Sequence, residues 1–182
     1  MKERSAVLAS GLLAVLVASP AGAGTGHVGT KTVPDELKAP AGQVLAISAR
    51  AVGVQIYECA AAKDDPTQFL WTLKAPEAEL RYRSGKPLGK HYAGPTWEAG
   101  DGSKVVGELV AKRDAPDGTA IPWLLLRAKS TSGTGVFTAV ASIQRLRTVG
   151  GKAPASGCDR TQAGREARVS YSAEYLFYAA GP

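Results

Sequence analysis

The sequence predicts an all-β fold, an antiparallel β-sandwich or barrel of about seven to nine strands. Short apolar runs recur along the chain and are separated by turn residues. Several of these runs alternate apolar and polar residues with the period of two that is typical of strands. No stretch shows the 3.6-residue apolar repeat of a long amphipathic helix. The 21 glycines and 11 prolines supply the turns.

Seven segments carry the strand pattern. The clearest is 168–178, where every second residue is apolar and should face the core: Val169, Tyr171, Ala173, Tyr175 and Phe177. Segment 121–129 is the most apolar and should begin at or near Pro122, because proline cannot donate to a strand ladder. The other candidates are residues 43–48, 52–60, 69–73, 103–113 and 135–148. Residues 77–92 show no regular alternation.

The N-terminus has the layout of a secretory signal peptide over residues 1–23. Lys2 and Arg4 precede an apolar run over residues 6–19, and small residues 21–23 form a cleavage site. The alternative is a membrane anchor, but the run ends at Pro20 and a span needs about 20 apolar residues. The sequence therefore predicts a secreted or periplasmic protein with no membrane span. Residues 24–40 should be a leader, and residues 41–182 a single β domain.

The charge balance is moderately basic. Without residues 1–23 the chain keeps 20 basic and 15 acidic residues, a net charge of 20 − 15 = +5. This favours weak attraction to anionic surfaces. The basic residues are scattered, with a small group at Arg81 and Arg83, so no nucleic-acid partner is predicted. Arg145 and Arg147 stand two apart on a predicted strand and should share one face.

The chain has two cysteines, Cys59 and Cys158. In an oxidising compartment such an isolated pair predicts a disulfide, which would close a loop of about 100 residues. A free thiol nucleophile and a metal-binding pair are the alternatives. Both have weaker support, because neither cysteine has a histidine nearby.

The rarer chemical groups gather in residues 89–103, GKHYAGPTWEAGDGS. Its glycines and proline indicate a shaped loop, and connections longer than about 2–5 residues are more often functional or disordered. We predict that the loop is ordered, with His91 and Trp97 lining one shared, partly exposed pocket. The predicted ligand-binding residues are His91, Tyr92, Trp97, Glu98 and Asp101.

Catalytic and metal chemistry find less support in the same segment. Ser103, His91 and Asp101 could be drawn as a triad, but no strained nucleophile elbow surrounds the serine. Glu98 and Asp101 could be a glycosidase carboxylate pair, although Asp-Gly is also a strong turn signal. With the cysteines bridged, too few ligands remain for zinc, and no complete dinucleotide fingerprint is present. We predict no metal and no cofactor.

Several sequence blocks carry a resemblance to a known family. They are GVQIYEC (53–59), residues 89–103, IPWLLL (121–126), IQRLRTVGGKAP (143–154), GCD (157–159) and YSAEYLFY (171–178). Together they resemble a family of small secreted bacterial and fungal proteins catalogued as a domain of unknown function. The resemblance implies an extracytoplasmic domain with this cysteine pair, and no reaction. Fungal members sometimes carry a malate dehydrogenase label, which this sequence does not support.

The predicted function is a ligand-binding module that uses residues 89–103. Its ligand would be an extracellular polysaccharide, a cell-envelope component or a small apolar molecule. The alternative is an extracellular hydrolase acting on carbohydrate or ester, and a purely structural protein is the third possibility. An enzyme should gather titratable groups with shifted pKa values in one pocket, whereas a binding module should show a cavity with few of them.

Overall fold

The computed structural model describes Met1 and residues 32–182, so the predicted signal peptide lies outside the described residues apart from Met1. Val33–Pro182 form one compact unit. Its strands are β1 (Gln43–Ala61), β2 (Phe69–Tyr82), β3 (Pro87–Tyr92), β4 (Thr96–Ala99), β5 (Lys104–Arg113), β6 (Trp123–Ser132), β7 (Val140–Gly150) and β8 (Glu166–Ala180), with short 3₁₀ helices at Asp35–Leu37 and Arg160–Gln162. No helix in the described part of the chain is long and apolar enough to cross a membrane.

The strands form one closed antiparallel barrel. Each strand pairs with its neighbours in sequence, and β8 pairs along most of its length with β1. Closure removes the free edges that an open sheet would expose. The predicted all-β antiparallel fold is confirmed, and the pairing of β8 with β1 decides between sandwich and barrel.

Two of the strands, β1 and β2, are much longer than the sequence predicts. Segments 43–48 and 52–60 are one continuous strand, β1, because Ala49 and Ala51 between them are buried in the barrel core. Segment 69–73 extends through Pro76 to Tyr82. Proline is tolerated there because β3 pairs with β2 only from Ala78 onward. The irregular pattern of residues 77–92 therefore hides the second half of β2 and all of β3.

The barrel interior holds the main core. Along β8, Tyr171, Ala173, Tyr175 and Phe177 are buried while Ser170 is exposed, which confirms the predicted alternation. Val169, near the start of the strand, is only half-buried. The aromatic residues of β8 pack on small residues of β1 and on Trp97 and Phe137. The period of two thus correctly assigns the inward face of this strand.

A second apolar cluster covers the outer face of β6 and β7. Leu37, carried by the first 3₁₀ helix, is fully buried there against Trp123, Leu125 and Leu146. The Gln144 amide donates a hydrogen bond to the Leu37 carbonyl. Residues just before the barrel thus pack on it.

The predicted disulfide is confirmed. Cys59, near the end of β1, is bonded to Cys158 in the segment between β7 and β8, with 5.4 Å between their Cα atoms. The backbone of Cys59 also accepts from Gly164 N–H at 2.9 Å and donates to the Arg165 carbonyl at 2.9 Å. The bridge and these bonds fasten the β7–β8 connection to one end of the barrel.

Candidate functional site

Residues 89–103 form a hairpin and a turn, where the sequence predicts a loop. β3 and β4 pair antiparallel, with His91 opposite Trp97 and Gly89 opposite Ala99. Gly89 lies within a strand, at a position where no side chain fits. β4 approaches so closely that a Cβ there would lie 2.0 Å from the Glu98 carbonyl oxygen. Glycine serves turns and close strand contacts equally well, so composition alone does not distinguish them.

His91 and Trp97 are core residues. They are 2% and 1% exposed, and their rings stack with centroids 4.4 Å apart. Tyr175 packs edge-on against both rings, at 5.2 and 5.4 Å. Gly107 on β5 leaves room for the indole, because a Cβ there would lie 2.9 Å from it. The expected partly exposed pocket lined by His91 and Trp97 is therefore not present, because both side chains point into the barrel.

His91 is held neutral in this position. Its Nδ1–H donates to the Thr96 carbonyl at 2.8 Å, since that oxygen can only accept. Burial lowers the pKa of His91 to about 3; the Arg145 charge acts in the same direction and the bond to Thr96 opposes it. A histidine with such a low pKa is not a general base that cycles near neutral pH.

The buried histidine should make stability depend on pH. Because the pKa of His91 is about 3 in the folded chain and near 6.5 when exposed, the unfolded state takes up the proton first as pH falls. Stability is complete above about pH 6.5 and falls by about 1.4 kcal/mol per pH unit below it, so about 2 kcal/mol is lost by pH 5. Urea denaturation at pH 5.0 to 7.5 measures this slope.

The control for that experiment is His91→Gln, which removes the titrating ring. The variant starts from a lower stability, but its free energy of unfolding should be nearly flat across the same range. Aspartates and glutamates with lowered pKa values lose their stabilising effect only as pH falls to their unfolded values of about 4, so they add little to the slope, and only at the acid end of the range. An equal slope in both proteins would show that another group causes the pH dependence.

Tyr92 and Glu98 lie together on the outer surface of the hairpin. The Tyr92 hydroxyl donates to Glu98 Oε2 at 2.8 Å, and Lys104 and Lys90 stand 3.4 and 3.7 Å from the same oxygen. The bond from Tyr92, followed by that from Lys104, lowers the pKa of Glu98. Lys90 also lies 5.7 Å from the centre of the Tyr92 ring. These contacts hold the half-buried Tyr92 side chain against Glu98 on the outer surface.

Asp101 organises a turn. Its Oδ1 accepts from the Ser103 N–H at 2.9 Å and hydroxyl at 2.6 Å, and its Oδ2 accepts from the Val136 N–H at 2.8 Å. The Ser103 hydroxyl oxygen in turn accepts from the Phe137 N–H at 3.1 Å. Both carboxylate oxygens are engaged in tying the β4–β5 turn to the segment before β7. Ser103 bonds to Asp101 rather than to His91, so the triad considered above is not assembled.

A concave surface, here the outer groove, runs across β1, β2 and β3 beside Tyr92. Its volume is about 590 Å³. Val52 is 54% exposed and contributes an apolar wall. Two ion pairs border the groove: Arg168 to Glu77 at 2.9 Å and Arg81 to Glu79 at 3.0 Å. The lining residues are Val52, Gly53, Val54, Glu77, Ala78, Glu79, Arg81, Lys90, His91, Tyr92 and Arg168.

The sequence blocks can now be compared with known families. The model of one family, described as a protein of unknown function (DUF3455), matches residues 40–179. The chain belongs to the DUF3455 family. No curated protein and no solved structure matches it. Because the family description supplies no reaction, the function of this DUF3455 domain has to be argued from its geometry.

The DUF3455 barrel also carries polar groups in its interior. The Tyr57 hydroxyl donates to the Gly151 carbonyl at 2.6 Å. The Tyr171 and Tyr175 hydroxyls and the Gln55 amide nitrogen are buried and have no hydrogen-bond partner of normal geometry within residues 32–182. Burial raises the pKa of both tyrosines, so they stay protonated. Alternation along β1 places Gln55 on the same face as Tyr57 and Cys59. This pattern in the sequence could have identified Gln55 as an interior residue.

Arg145 and Arg147 do not share a face of the DUF3455 barrel, contrary to the sequence prediction. Arg145 donates to the Pro122 carbonyl at 3.1 and 2.9 Å, and its charge acts on Tyr57 and Tyr175. Arg147 pairs instead with Glu174 on the outer surface. A register shift between Leu146 and Val149 separates them, because a β-bulge reverses the direction of the following side chains.

Most of the residues that line the outer groove were not predicted from the sequence. Only His91 and Tyr92 belong both to the predicted site and to the outer groove, and the His91 ring points away from it. Lys90 also lies in residues 89–103 but was not among the predicted binding residues, and the others come from β1, β2 and β8, outside that segment. Within residues 32–182, no group of three or more His, Cys, Asp or Glu side chains could hold a metal ion.

Proposed function

We propose that this DUF3455 domain is an extracytoplasmic ligand-binding module and that the outer groove is its binding site. One observation carries the proposal: a single concave surface combines an aromatic ring, an exposed aliphatic side chain and several charged groups. Ligand sites are typically concave and lined by apolar groups, with a few polar groups that fix orientation. The secretion signal predicted from residues 1–23 supports the extracytoplasmic placement.

The ligand that suits this surface best is a carbohydrate, as part of an extracellular polysaccharide or of the cell envelope. A sugar ring presents an apolar C–H face and a rim of hydroxyls. The Tyr92 ring, held by its bond to Glu98, offers a flat apolar face with a polar tip. Lys90, Glu79 and Arg168 offer donors and acceptors for the hydroxyl rim.

The same contacts support binding over hydrolysis. A glycosidase needs one carboxylic acid of raised pKa facing a second carboxylate. The pKa of Glu98 is lowered, first by the Tyr92 hydroxyl and then by Lys104. Glu77 and Glu79 each form an ion pair with an arginine. Glu98 is therefore arranged as an acceptor and not as a general acid.

The test is electrophoresis through gels that contain a neutral glucan, chitin, peptidoglycan fragments or a uronic-acid polymer. We expect at least one of them to retard the domain. Tyr92→Ala should weaken that binding by about two- to tenfold, since an aromatic contact contributes about 0.5–1.5 kcal/mol and a tenfold change corresponds to about 1.4 kcal/mol. The melting temperature should change little, because Tyr92 is at the surface.

Arg168→Ala and Arg127→Ala form a matched pair for the same gels. Each arginine forms an ion pair with a glutamate, Arg168 with Glu77 on β2 and Arg127 with Glu108 on β5, but only Arg168 lines the groove. Arg168→Ala should reduce retardation, whereas Arg127→Ala should behave as the unmodified domain. Retardation that is unchanged in Tyr92→Ala and Arg168→Ala would rule out the groove. Release of reducing sugar would favour the hydrolase instead.

A further inference from the structure

A second concavity lies on the outer surface where β1, β2, β7 and β8 run side by side. Its volume is about 770 Å³. Four arginines line it, one from β1, one from β7, and two from β2 and the turn after it; we call it the arginine pocket. They are Arg50, Arg81, Arg83 and Arg147, and the carboxylate among them is Glu174. The arginine pocket shares only Arg81 with the outer groove.

Both carboxylate oxygens of Glu174 already form ion pairs, one with each of two of these arginines. Its Oε1 accepts from Arg83 at 3.0 Å and from the Ser48 hydroxyl at 3.4 Å, and its Oε2 contacts Arg147. The Glu174 side chain is 17% exposed, whereas that of Arg83 is 80% exposed. One carboxylate at the base of the pocket thus holds two guanidinium groups that reach toward solvent, leaving one positive charge in excess.

Arg50 adds a second uncompensated charge. Within residues 32–182 its side chain has no ion pair and no hydrogen bond. In the strand register it stands directly opposite Arg81 on β2 and Glu174 on β8. Arg81 has its own partner, Glu79, outside the pocket. Like charges directly opposite each other destabilise a sheet, so this placement is costly unless an anion lies between them.

The backbone conformation of Arg147 is an independent indication that the arginine pocket is a functional site. Arg147 has φ of 49°, and it is the one non-glycine residue with positive φ in the described part of the chain. Such a conformation costs about 1–2 kcal/mol and is often found at functional sites. Since Ile143 faces the core, strict alternation would turn Arg147 inward as well. The bulge turns it outward onto Glu174 instead.

We propose that the arginine pocket binds a dianionic oxyanion, a phosphate or sulfate group, either as a free ion or as a substituent of a sugar. The lining carries four positive charges and one negative charge, and Glu79 from outside offsets one more, which leaves 4 − 1 − 1 = +2. Two uncompensated charges match a dianion better than a single carboxylate. Arg50 and Arg81 are the direct ligands, because guanidinium groups bind oxyanions through paired N–H donors. Arg83 and Arg147 flank the anion.

Isothermal titration calorimetry at constant ionic strength, in a buffer free of phosphate and sulfate, tests the proposal. The probes are inorganic phosphate, sulfate and glucose 1-phosphate, with chloride and acetate as monovalent controls. We expect saturable binding of one dianion per domain and none of the monovalent ions. Equal affinity for phosphate and glucose 1-phosphate identifies a free-ion site, and tighter binding of glucose 1-phosphate identifies a substituent of a sugar.

Arg50→Gln is the decisive variant, because Arg50 has no partner to lose in the unliganded domain. It should weaken dianion binding at least tenfold at an unchanged melting temperature in chloride, whereas Arg127→Gln on β6 should bind as the unmodified domain. Tyr92→Ala should also bind the dianion normally, which separates this site from the outer groove. The proposal is overturned if no dianion binds saturably, or if Arg50→Gln and Arg127→Gln bind equally well.

Discussion

Trp97→Ala is expected to lower the free energy of unfolding by about 3–5 kcal/mol. The indole is 1% exposed, stacks on His91, and meets Tyr175 and Phe177 edge-on at 5.4 and 6.0 Å. Removing it leaves a cavity in a core whose neighbours belong to three different strands and cannot all collapse inward. Urea denaturation followed by circular dichroism measures the loss.

Trp71→Ala is the matched control for that variant. Trp71 on β2 is only partly buried, and its Nε1–H donates to the Ser156 carbonyl at 2.9 Å on an exposed surface. Trp71→Ala should therefore lower the free energy of unfolding clearly less than Trp97→Ala does. If Trp97→Ala kept full stability, the indole would not be a core residue, and a recognition role for it would have to be reconsidered.

Replacing both cysteines by alanine is expected to cost about 2–5 kcal/mol in oxidising buffer, the usual range for a native bridge in a small secreted domain. Cys59 and Cys158 are 99 residues apart, and for a loop of about 100 residues the chain-entropy model gives about 4–5 kcal/mol. The melting temperature of the double variant should therefore fall well below that of the bridged protein. Thermal denaturation with and without reductant makes the comparison.

In reductant, the unmodified protein and the double variant should melt at nearly the same temperature. A difference that persists there would mean that the alanines disturb packing, since Cys59 is itself fully buried. Loss of the bridge should loosen the β7–β8 connection first. That segment is otherwise held by hydrogen bonds from β1 and β2, such as the Tyr57 bond to Gly151 and the Trp71 bond to Ser156.

The candidate site was only partly predictable. Composition drew attention to residues 89–103, and the structure places Tyr92 of that segment in a groove. It also separates the five predicted residues. His91 and Trp97 form a buried ring stack, Tyr92 and Glu98 form a surface pair, and Asp101 lies in a turn. Several of the rare residues in this segment therefore have structural roles: Gly89 allows β4 to approach closely, and the His91 and Trp97 rings fill the core. The functional use of Tyr92 and Glu98 stays a prediction.

The sequence by itself determined the fold class, the inward face of β8 and the cysteine pairing. Each depends on information that is local or involves few residues: a period of two, the absence of a helical repeat, and two cysteines in a chain with a predicted secretion signal. Strand ends were less certain, because alanine, glycine and proline interrupt an apolar pattern whether or not the strand continues. β1 shows this at Ala49 and Ala51, which are small because they lie inside the barrel.

Only the tertiary structure decided that the sheet closes, that His91 and Trp97 point inward, and that Arg50, Arg81, Arg83 and Arg147 meet around Glu174. These arginines are up to 97 residues apart (147 − 50), and they converge through the pairing of β1 with β2 and β8 and of β8 with β7. Register and closure result from the summed contacts of all the strands. One bulge, at Arg147, reverses which face a side chain occupies, and no local pattern predicts it.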